Sequence, residues 1–139
     1  MGRIALIFGG SDPSNLTVTV LEELLSIDQS YNVDVIFGAH FEHIDSISRV
    51  LANHRDKRDS VNLFRNAENV AELMYNADLV IASPGLSTFE GLSVGTPVII
   101  MPQNNVQKEI YRAYLPMLEK GQVGKLAQSR MPSFKQLSD

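Results

Sequence analysis

The protein is a chain of 139 residues with a net charge of −4, 44% hydrophobic residues and no cysteine. This length suits one domain, and the composition is typical of a globular chain rather than a disordered one. Without cysteine, disulfides, thiolate metal sites and cysteine nucleophiles are excluded. The sequence has no Lys/Arg cluster for a nucleic-acid partner and no apolar stretch near the ~20 residues of a membrane span. We therefore expect a cytoplasmic protein.

Apolar runs and helical periodicities alternate along the chain. Strands are predicted at 4–8, 32–38, 61–64, 78–82, 97–102 and, as an edge strand, 122–127. Helices are predicted at 44–54, 68–77, 86–95 and 106–121, besides a first helix that ends near Ile27. This alternation predicts an α/β fold with a doubly wound, Rossmann-like parallel sheet of about six strands.

The first helix follows a glycine-bearing turn. Its periodic apolar residues are Leu16, Val20, Leu21 and Leu24. Asp12 or Ser14 is expected to cap it, with Pro13 near its first turn. Further along, "RDKR" at 55–58 is interpreted as a solvated loop because an aspartate interrupts it.

Polar segments follow four of the predicted strands. They are "GGSD", "FRNAEN", "SPGLSTFE" and "MPQNNVQ", after the first, third, fourth and fifth strands. In open parallel sheets, ligands bind beyond the carboxyl ends of the strands, near the point where the strand order reverses. These segments are therefore the candidate site.

The glycine turn after the first strand is a candidate anion site. Gly9 and Gly10 let backbone approach a ligand closely, and the following helix is expected to offer free N–H groups and its positive dipole end. The alternative is a tight turn that only serves packing. The dinucleotide fingerprint G-x-G-x-x-G is absent.

The segment "SPGLSTFEG" at 83–91 is a second candidate. Gly85 begins the predicted helix, and Ser87 and Thr88 lie in its first turn, where hydroxyl and N–H groups suit a phosphate. Glu90 lies about one turn further, and a carboxylate accepts hydrogen bonds from the two adjacent hydroxyls of a ribose. The alternative is a capping box formed by Ser87 and Glu90.

The segment after the fifth strand carries amides. Gln103, Asn104 and Gln107 suit a glycosyl group, because amides bond to hydroxyls without bringing charge. The alternative is an ordinary polar loop.

The segment after the third strand offers backbone groups to a base edge. The alternative places Phe64 in the core, Arg65 in solvent and Asn66 as a helix cap. We favour this alternative for the three side chains, and the binding role for the backbone groups. His40 and His43 lie three residues apart, but no further ligands complete a metal site. We predict neither a metal nor a cofactor.

The segments "GGSDPSNLT" and "LFRNAENVAELMYNADLVIASPGLSTFEGLSVGTPVIIMPQNN" together resemble a known family. They are similar to the C-terminal, donor-binding half of GT-B nucleotide-sugar enzymes. Within these, the chain most resembles the group formed by the UDP-sugar hydrolase of pseudaminic acid biosynthesis and the spore-coat polysaccharide synthesis proteins. More distantly, it resembles the peptidoglycan UDP-N-acetylglucosamine transferase. The resemblance covers nearly the whole chain.

The resemblance implies a role for each segment. It places phosphates near Gly9, Gly10 and Ser11, uracil on the backbone of Phe64, Arg65 and Asn66, the diphosphate near Gly85, Ser87 and Thr88, the ribose on Glu90, and the sugar against Gln103, Asn104 and Gln107. It also implies that the acceptor site and the general base belong to an N-terminal domain. We therefore assign no catalytic residue here.

The resemblance further implies that residues 1–139 are one nucleotide-sugar-binding domain, separated from its N-terminal partner domain. The whole enzyme would hydrolyse a UDP-sugar or transfer its sugar in surface polysaccharide or nonulosonic acid biosynthesis, and the chain alone would be inactive. Two alternatives stay open. The chain is either a non-catalytic binding subunit that works with a separate catalytic chain, or a generic α/β domain without nucleotide binding.

Overall fold

The structure is a computed structural model that describes residues 2–84 and 94–105. Five parallel strands form one sheet: β1 (Arg3–Ile7), β2 (Asn32–Phe37), β3 (Val61–Arg65), β4 (Leu79–Ala82) and β5 (Val98–Ile100). Their order is β3-β2-β1-β4-β5, so the order reverses between β1 and β4. The predicted doubly wound parallel sheet is confirmed. The predicted sixth strand lies outside the described residues.

The described residues include three α-helices that connect these strands: α1 (Leu16–Ser26), α2 (Ile44–Asn53) and α3 (Val70–Asn76). Most of the predicted helix at 86–95 and the whole of the one at 106–121 fall outside the described ranges. Within those ranges, no helix is long and apolar enough to cross a membrane.

The helices cover opposite faces of the sheet. The larger core cluster joins Leu21 of α1 and Ile47 of α2 to one face of the sheet, which includes Leu6 of β1. The smaller cluster joins Met74 of α3 to the other face, which includes Ala5 of β1. Because successive strand residues point to opposite faces, both faces of β1 are buried, as its continuous apolar sequence predicted.

The sequence predicted a loop at 55–58, and this prediction is wrong. The segment is part of a 3-10 helix, Arg55–Ser60. The ammonium group of Lys57 donates a hydrogen bond of 3.0 Å to the carbonyl of Leu25, in the last turn of α1. A cation near the C-terminus of a helix satisfies carbonyls that lack a partner and complements the dipole. This contact anchors the polar segment on α1.

Helix α1 begins later than predicted, at Leu16, so Pro13 and Ser14 precede it. Asp12 is 1% exposed, and its carboxylate accepts hydrogen bonds from the N–H groups of Leu16 (3.0 Å) and Thr17 (2.8 Å). Of the two predicted caps, Asp12 and Ser14, the side chain of Asp12 bonds to the helix start, although Asn15 occupies the N-cap position. Both Asp12 and Asn15 adopt positive φ, which keeps the chain out of the helix until Leu16.

A buried carboxylate in β2 is hydrogen-bonded to side chains of the two neighbouring strands, β1 and β3. Asp34 of β2 is 2% exposed and accepts two hydrogen bonds, of 2.9 and 3.0 Å, from the guanidinium of Arg3 in β1. Asn62 of β3 donates a third, of 3.1 Å. Burying a charge is costly unless it is paired and hydrogen-bonded, and here both conditions hold.

Candidate functional site

The carboxyl ends of β1, β2 and β3 enclose a cleft of about 160 Å³. Residues from the strand ends, the loops that follow them and the start of α3 line it: Ile7, Gly9, Gly10, Ile36, Phe37, Gly38, Asn66, Ala67 and Val70. Of the predicted site residues, Gly9, Gly10 and Asn66 therefore meet in one place. Such a cleft suits a ligand with one flat apolar part and a few polar groups.

Glycines bring the β1 and β2 loops together at this cleft. Gly9 has a φ of +87°, which favours glycine. Gly38 follows β2, and a Cβ there would come within 2.6 Å of the Cα of Gly10. The two loops can touch only because Gly38 has no side chain. Sequence reasoning missed Gly38 as a site residue, although a glycine directly after a buried strand was the available signal.

The end of β3 contributes Asn66 and Ala67 to the cleft. Asn66 has a φ of +52°, and its N–H donates a hydrogen bond of 2.7 Å to the carbonyl of Phe37. The alternative that Asn66 caps the next helix is wrong, because α3 begins at Val70 and Asn69 occupies its N-cap position. Asn66 instead turns the chain away from the sheet and joins β3 to the end of β2.

Phe64 and Arg65 precede this turn. Phe64 is partly buried and packs against the smaller core cluster, as the sequence favoured. Arg65 is exposed, but its guanidinium lies 4.9 Å from the centre of the Phe37 ring. It also donates a hydrogen bond of 3.3 Å to the carbonyl of Ala39. Arg65 therefore reinforces the contact between the ends of β3 and β2.

An aromatic series continues from β2 towards α1. The rings of Phe37 and Phe41 have centroids 4.7 Å apart, and Phe41 meets His43 edge-on at 5.2 Å. Nε2 of His43 donates a hydrogen bond of 2.9 Å to the carbonyl of Asp12. His43 thus holds the β1–α1 loop, while His40 is exposed. Within 2–84 and 94–105, no group of three His, Asp or Glu residues is arranged to hold a metal.

The start of α1 is partly occupied by the protein itself. The sequence predicted free N–H groups there, but the N–H groups of Leu16 and Thr17 bond to the carboxylate of Asp12. An anionic ligand at those two groups would have to replace a buried carboxylate. Ser11 and the two glycines before it are exposed and open to solvent.

Gln103 lies where the loop after β5 reaches β1. Its Nε2 donates hydrogen bonds to the carbonyl of Phe8 (2.7 Å) and to Oγ of Ser83 (3.2 Å). Its Oε1 accepts a hydrogen bond of 3.1 Å from the N–H of Ser14. The side chain of Gln103 therefore spans the crevice at which the strand order reverses. Asn104 follows in an exposed position.

Five predicted site residues lie outside the described residues: Gly85, Ser87, Thr88, Glu90 and Gln107. Their proposed roles stay predictions. The described part of the site therefore consists of the β1, β2 and β3 ends around the cleft and the crevice that Gln103 spans.

Residues 4–130 match the Glycosyltransferase family 28 C-terminal domain. The chain belongs to this family. This family 28 domain is 26% identical over 103 residues to the spore coat polysaccharide biosynthesis protein SpsG of Bacillus subtilis, and covers 29% of that protein. It is 29% identical over 111 residues to the UDP-N-acetylglucosamine--N-acetylmuramyl-(pentapeptide) pyrophosphoryl-undecaprenol N-acetylglucosamine transferase of Histophilus somni, and covers 30% of it. The predicted resemblance to both groups is confirmed.

A stronger similarity links the family 28 domain to the uncharacterised protein MJ1062 of Methanocaldococcus jannaschii, at 45% identity over 118 residues. These alignments include 73 to 85% of this chain. The chain spans only 24 to 30% of the length of these curated relatives.

Solved structures share the fold of the family 28 domain. The UDP-GlcNAc 2-epimerase of Neisseria meningitidis, bound to UDP-GlcNAc, matches with a TM-score of 0.54 and 18% identity over 98% of this chain and 35% of that one. The catalytic domain of cholesterol-α-glucosyltransferase from Helicobacter pylori matches with a TM-score of 0.51 and 11% identity over 99% of this chain and 96% of that one. These neighbours confirm the predicted fold, one half of a GT-B architecture.

Proposed function

We propose that this family 28 domain binds the UDP part of a nucleotide sugar, as the donor half of a glycosyltransferase or sugar-nucleotide hydrolase. The pathway we assign is surface polysaccharide or nonulosonic acid biosynthesis. The observation that carries the proposal is the cleft at the carboxyl ends of β1, β2 and β3, beside the reversal of strand order. Two names support it, since one relative is an N-acetylglucosamine transferase and one structural neighbour was solved with UDP-GlcNAc.

In this proposal the uracil ring enters the cleft. Its flat faces suit the apolar floor that Ile7, Ile36 and Val70 contribute. Uracil presents one N–H between two carbonyls, so a backbone carbonyl and a backbone N–H from neighbouring residues complement it. The N–H of Asn66 is already bonded to Phe37. We therefore assign the base to the carbonyl of Asn66 and the N–H of Ala67, which adjoin the same cleft.

The phosphates and the sugar are assigned to the segments at the other strand ends. Gly9, Gly10 and Ser11 contribute backbone N–H groups near the phosphates. Because Asp12 occupies the first N–H groups of α1, we assign most of the diphosphate charge to the segment with Ser87 and Thr88. The remaining assignments are the ribose to Glu90 and the sugar to the loop with Asn104 and Gln107.

The reaction itself depends on a second domain. We propose that an N-terminal GT-B domain, in the same or another chain, supplies the general base and the acceptor site. Water as the acceptor gives hydrolysis, and a hydroxyl group gives glycosyl transfer. The part of this domain is to orient the donor and to stabilise the leaving diphosphate through fixed N–H dipoles. On this proposal the chain alone binds nucleotide without turnover, and its cytoplasmic location stays a prediction.

A calorimetric titration of the chain with UDP, GDP and CDP tests the proposal. We expect selective binding of UDP, and we expect Glu90→Ala to weaken it by about 1–3 kcal/mol, because the ribose hydroxyls lose their acceptor. Glu23→Ala is the matched control, since Glu23 is exposed on the outer side of α1. Equal binding of the three nucleotides, or no binding by a folded chain, would contradict the donor-site assignment.

A further inference from the structure

The side chain of Gln103 makes three hydrogen bonds within the protein, which a role in binding the sugar alone does not require. Its amide donates to Phe8 and Ser83 and accepts from Ser14. Its partners fix the orientation of the amide, because a reversed amide would place its oxygen against the carbonyl of Phe8 and its NH₂ group against the N–H of Ser14. The backbone carbonyl of Gln103 also accepts a hydrogen bond of 3.2 Å from Oγ of Ser14.

These bonds tie together the chain segments on both sides of the crevice. Phe8 follows β1, and Ser83 follows β4. The loop that contains Gln103 follows β5, whose ladder is extended by the N–H of Met101 bonding to the carbonyl of Ala82 (2.8 Å). The first residues of this loop are therefore fixed at two points, Met101 and Gln103, and the exposed Asn104 comes directly after the second point.

We propose that Gln103 is a positioning residue, which fixes the loop after β5 so that Asn104 faces the sugar of the bound nucleotide. The inference rests on the proposed function. It replaces direct contact between Gln103 and the sugar by an effect through Asn104. An amide is suited to this position because it alone combines two donors with an acceptor on an uncharged group. A carboxylate loses both donors, and a thioether of similar length loses all three hydrogen bonds.

The test separates the sugar from the nucleotide. The sugar increment is defined as the Kd of UDP divided by the Kd of UDP-N-acetylglucosamine, both measured by calorimetry on the full chain. We expect Gln103→Met to lower this increment about 10-fold while the Kd of UDP changes less than about 3-fold, because the hydrogen bonds that hold the loop are lost. Gln29→Met, in the exposed turn after α1, is the control and leaves the increment unchanged.

A double-mutant cycle separates positioning from direct contact. If Gln103 acts through Asn104, then Asn104→Ala lowers the increment in the wild type and adds nothing in the Gln103→Met background. Ser14→Ala removes one hydrogen bond to the backbone of Gln103 at an exposed site, so it gives a folded variant with a smaller, about 2-fold loss.

The outcomes that oppose the inference are distinct from those that oppose the proposed function. Two outcomes overturn the positioning role while UDP still binds. In the first, the losses of the sugar increment from Gln103→Met and Asn104→Ala multiply in the double variant. In the second, Gln103→Met has the same sugar increment as the wild type. No UDP binding by the wild-type chain overturns the proposed function and this inference with it.

Discussion

Two glycines at the cleft differ in what an added methyl group would meet. At Gly10 a Cβ finds no atom within 4 Å, and no positive φ restricts the residue. At Gly38 a Cβ would lie 2.6 Å from the Cα of Gly10 and 2.9 Å from its carbonyl oxygen. Backbone atoms cannot move aside as the end of a flexible side chain can. Gly10 therefore tests the space of the cleft, whereas Gly38 tests the packing of its walls.

Gly10→Ala is expected to leave the fold intact and to weaken UDP binding about 10-fold or more, because the methyl group occupies space at the cleft. Gly38→Ala is expected to lower the free energy of unfolding by about 1–3 kcal/mol, because two backbone segments must separate. Thermal unfolding and UDP titration of both variants check this. A Gly10→Ala variant with unchanged UDP affinity would place the nucleotide elsewhere.

Sequence reasoning found some of these residues and missed others for a physical reason. Gly9 and Gly10 were predicted because a glycine pair after a strand is a local signal. Gly38 was missed, and Gln103 was predicted only as a residue that faces the sugar. Both make contacts with residues far along the chain, at Gly10 and Phe8. No local pattern encodes such a contact, so the close approach and the crossing hydrogen bonds became visible only with the fold.

At the scale of elements, the first helix depends on a side chain that precedes it by four residues. Asp12 satisfies two N–H groups at the start of α1 although Asn15 occupies the N-cap position and makes no side-chain cap. Helix starts leave four N–H groups without a partner inside the helix, and a carboxylate there also complements the helix dipole.

Asp12→Ala is expected to lower the free energy of unfolding by about 1–2 kcal/mol, because two buried N–H groups lose their acceptor. Asp45→Ala is the matched control, since Asp45 is exposed in the first turn of α2, and it is expected to cost below about 1 kcal/mol. Urea unfolding of both variants measures the difference. Equal losses would mean that the Asp12 hydrogen bonds stabilise the protein no more than a surface charge does.

The ion pair between Arg3 and Asp34 has partners that differ in their exposure to solvent. The side chain of Arg3 is 36% exposed and that of Asp34 is 2% exposed, so water reaches one partner only. Among the described residues, Arg3→Met leaves the buried carboxylate with one side-chain donor, Asn62. The cost therefore comes mainly from the charge that stays behind rather than from the attraction that is lost.

Arg3→Met is expected to lower the free energy of unfolding by about 1–3 kcal/mol, because Asp34 keeps the hydrogen bond from Asn62 and the lost partner was partly exposed. The double variant Arg3→Met/Asp34→Leu is expected to recover part of that loss, because no unpaired charge is left in the sheet. Guanidinium unfolding of the single and double variants distinguishes the two cases. A double variant less stable than Arg3→Met would show that the buried carboxylate itself stabilises the sheet.

The elements that the sequence predicted well are those with apolar periodicity. The predicted helix at 44–54 is observed as Ile44–Asn53, with Ile47 and Val50 buried. The 3-10 helix Arg55–Ser60 has no buried residue, so its sequence has no apolar periodicity from which it could be predicted. It is held instead by Lys57 at the last turn of α1, a tertiary contact that the local sequence does not contain.

At the scale of the whole molecule, strand–helix alternation and right-handed connections led to a doubly wound sheet, and the observed order β3-β2-β1-β4-β5 agrees. The crevice follows from this order, because β2 lies on one side of β1 and β5 lies on the opposite side of β4. The place of the crevice and of the cleft beside it was therefore predictable. Their walls, formed by loop contacts, were not.

Ligand binding is expected to stabilise the whole domain. At a UDP concentration about ten times its Kd, mass action adds about 1.4 kcal/mol to the free energy of unfolding. For a domain of this size, that corresponds to a rise in Tm of roughly 3–6 °C. ADP at the same concentration is the control. A similar rise with both nucleotides would indicate a site that does not distinguish the base.

The hydrogen bond from Gln103 to Phe8 joins residues that are 95 positions apart. During synthesis Phe8 leaves the ribosome first, and at ~5–20 residues per second Gln103 follows after roughly 5–20 s. Over that interval β1, β2 and β3 can pair, but the crevice has only one wall. The nascent domain therefore contains the strands that form the cleft before Gln103 can span the crevice. A ligand that contacts both can bind only after the loop that contains Gln103 has been synthesised.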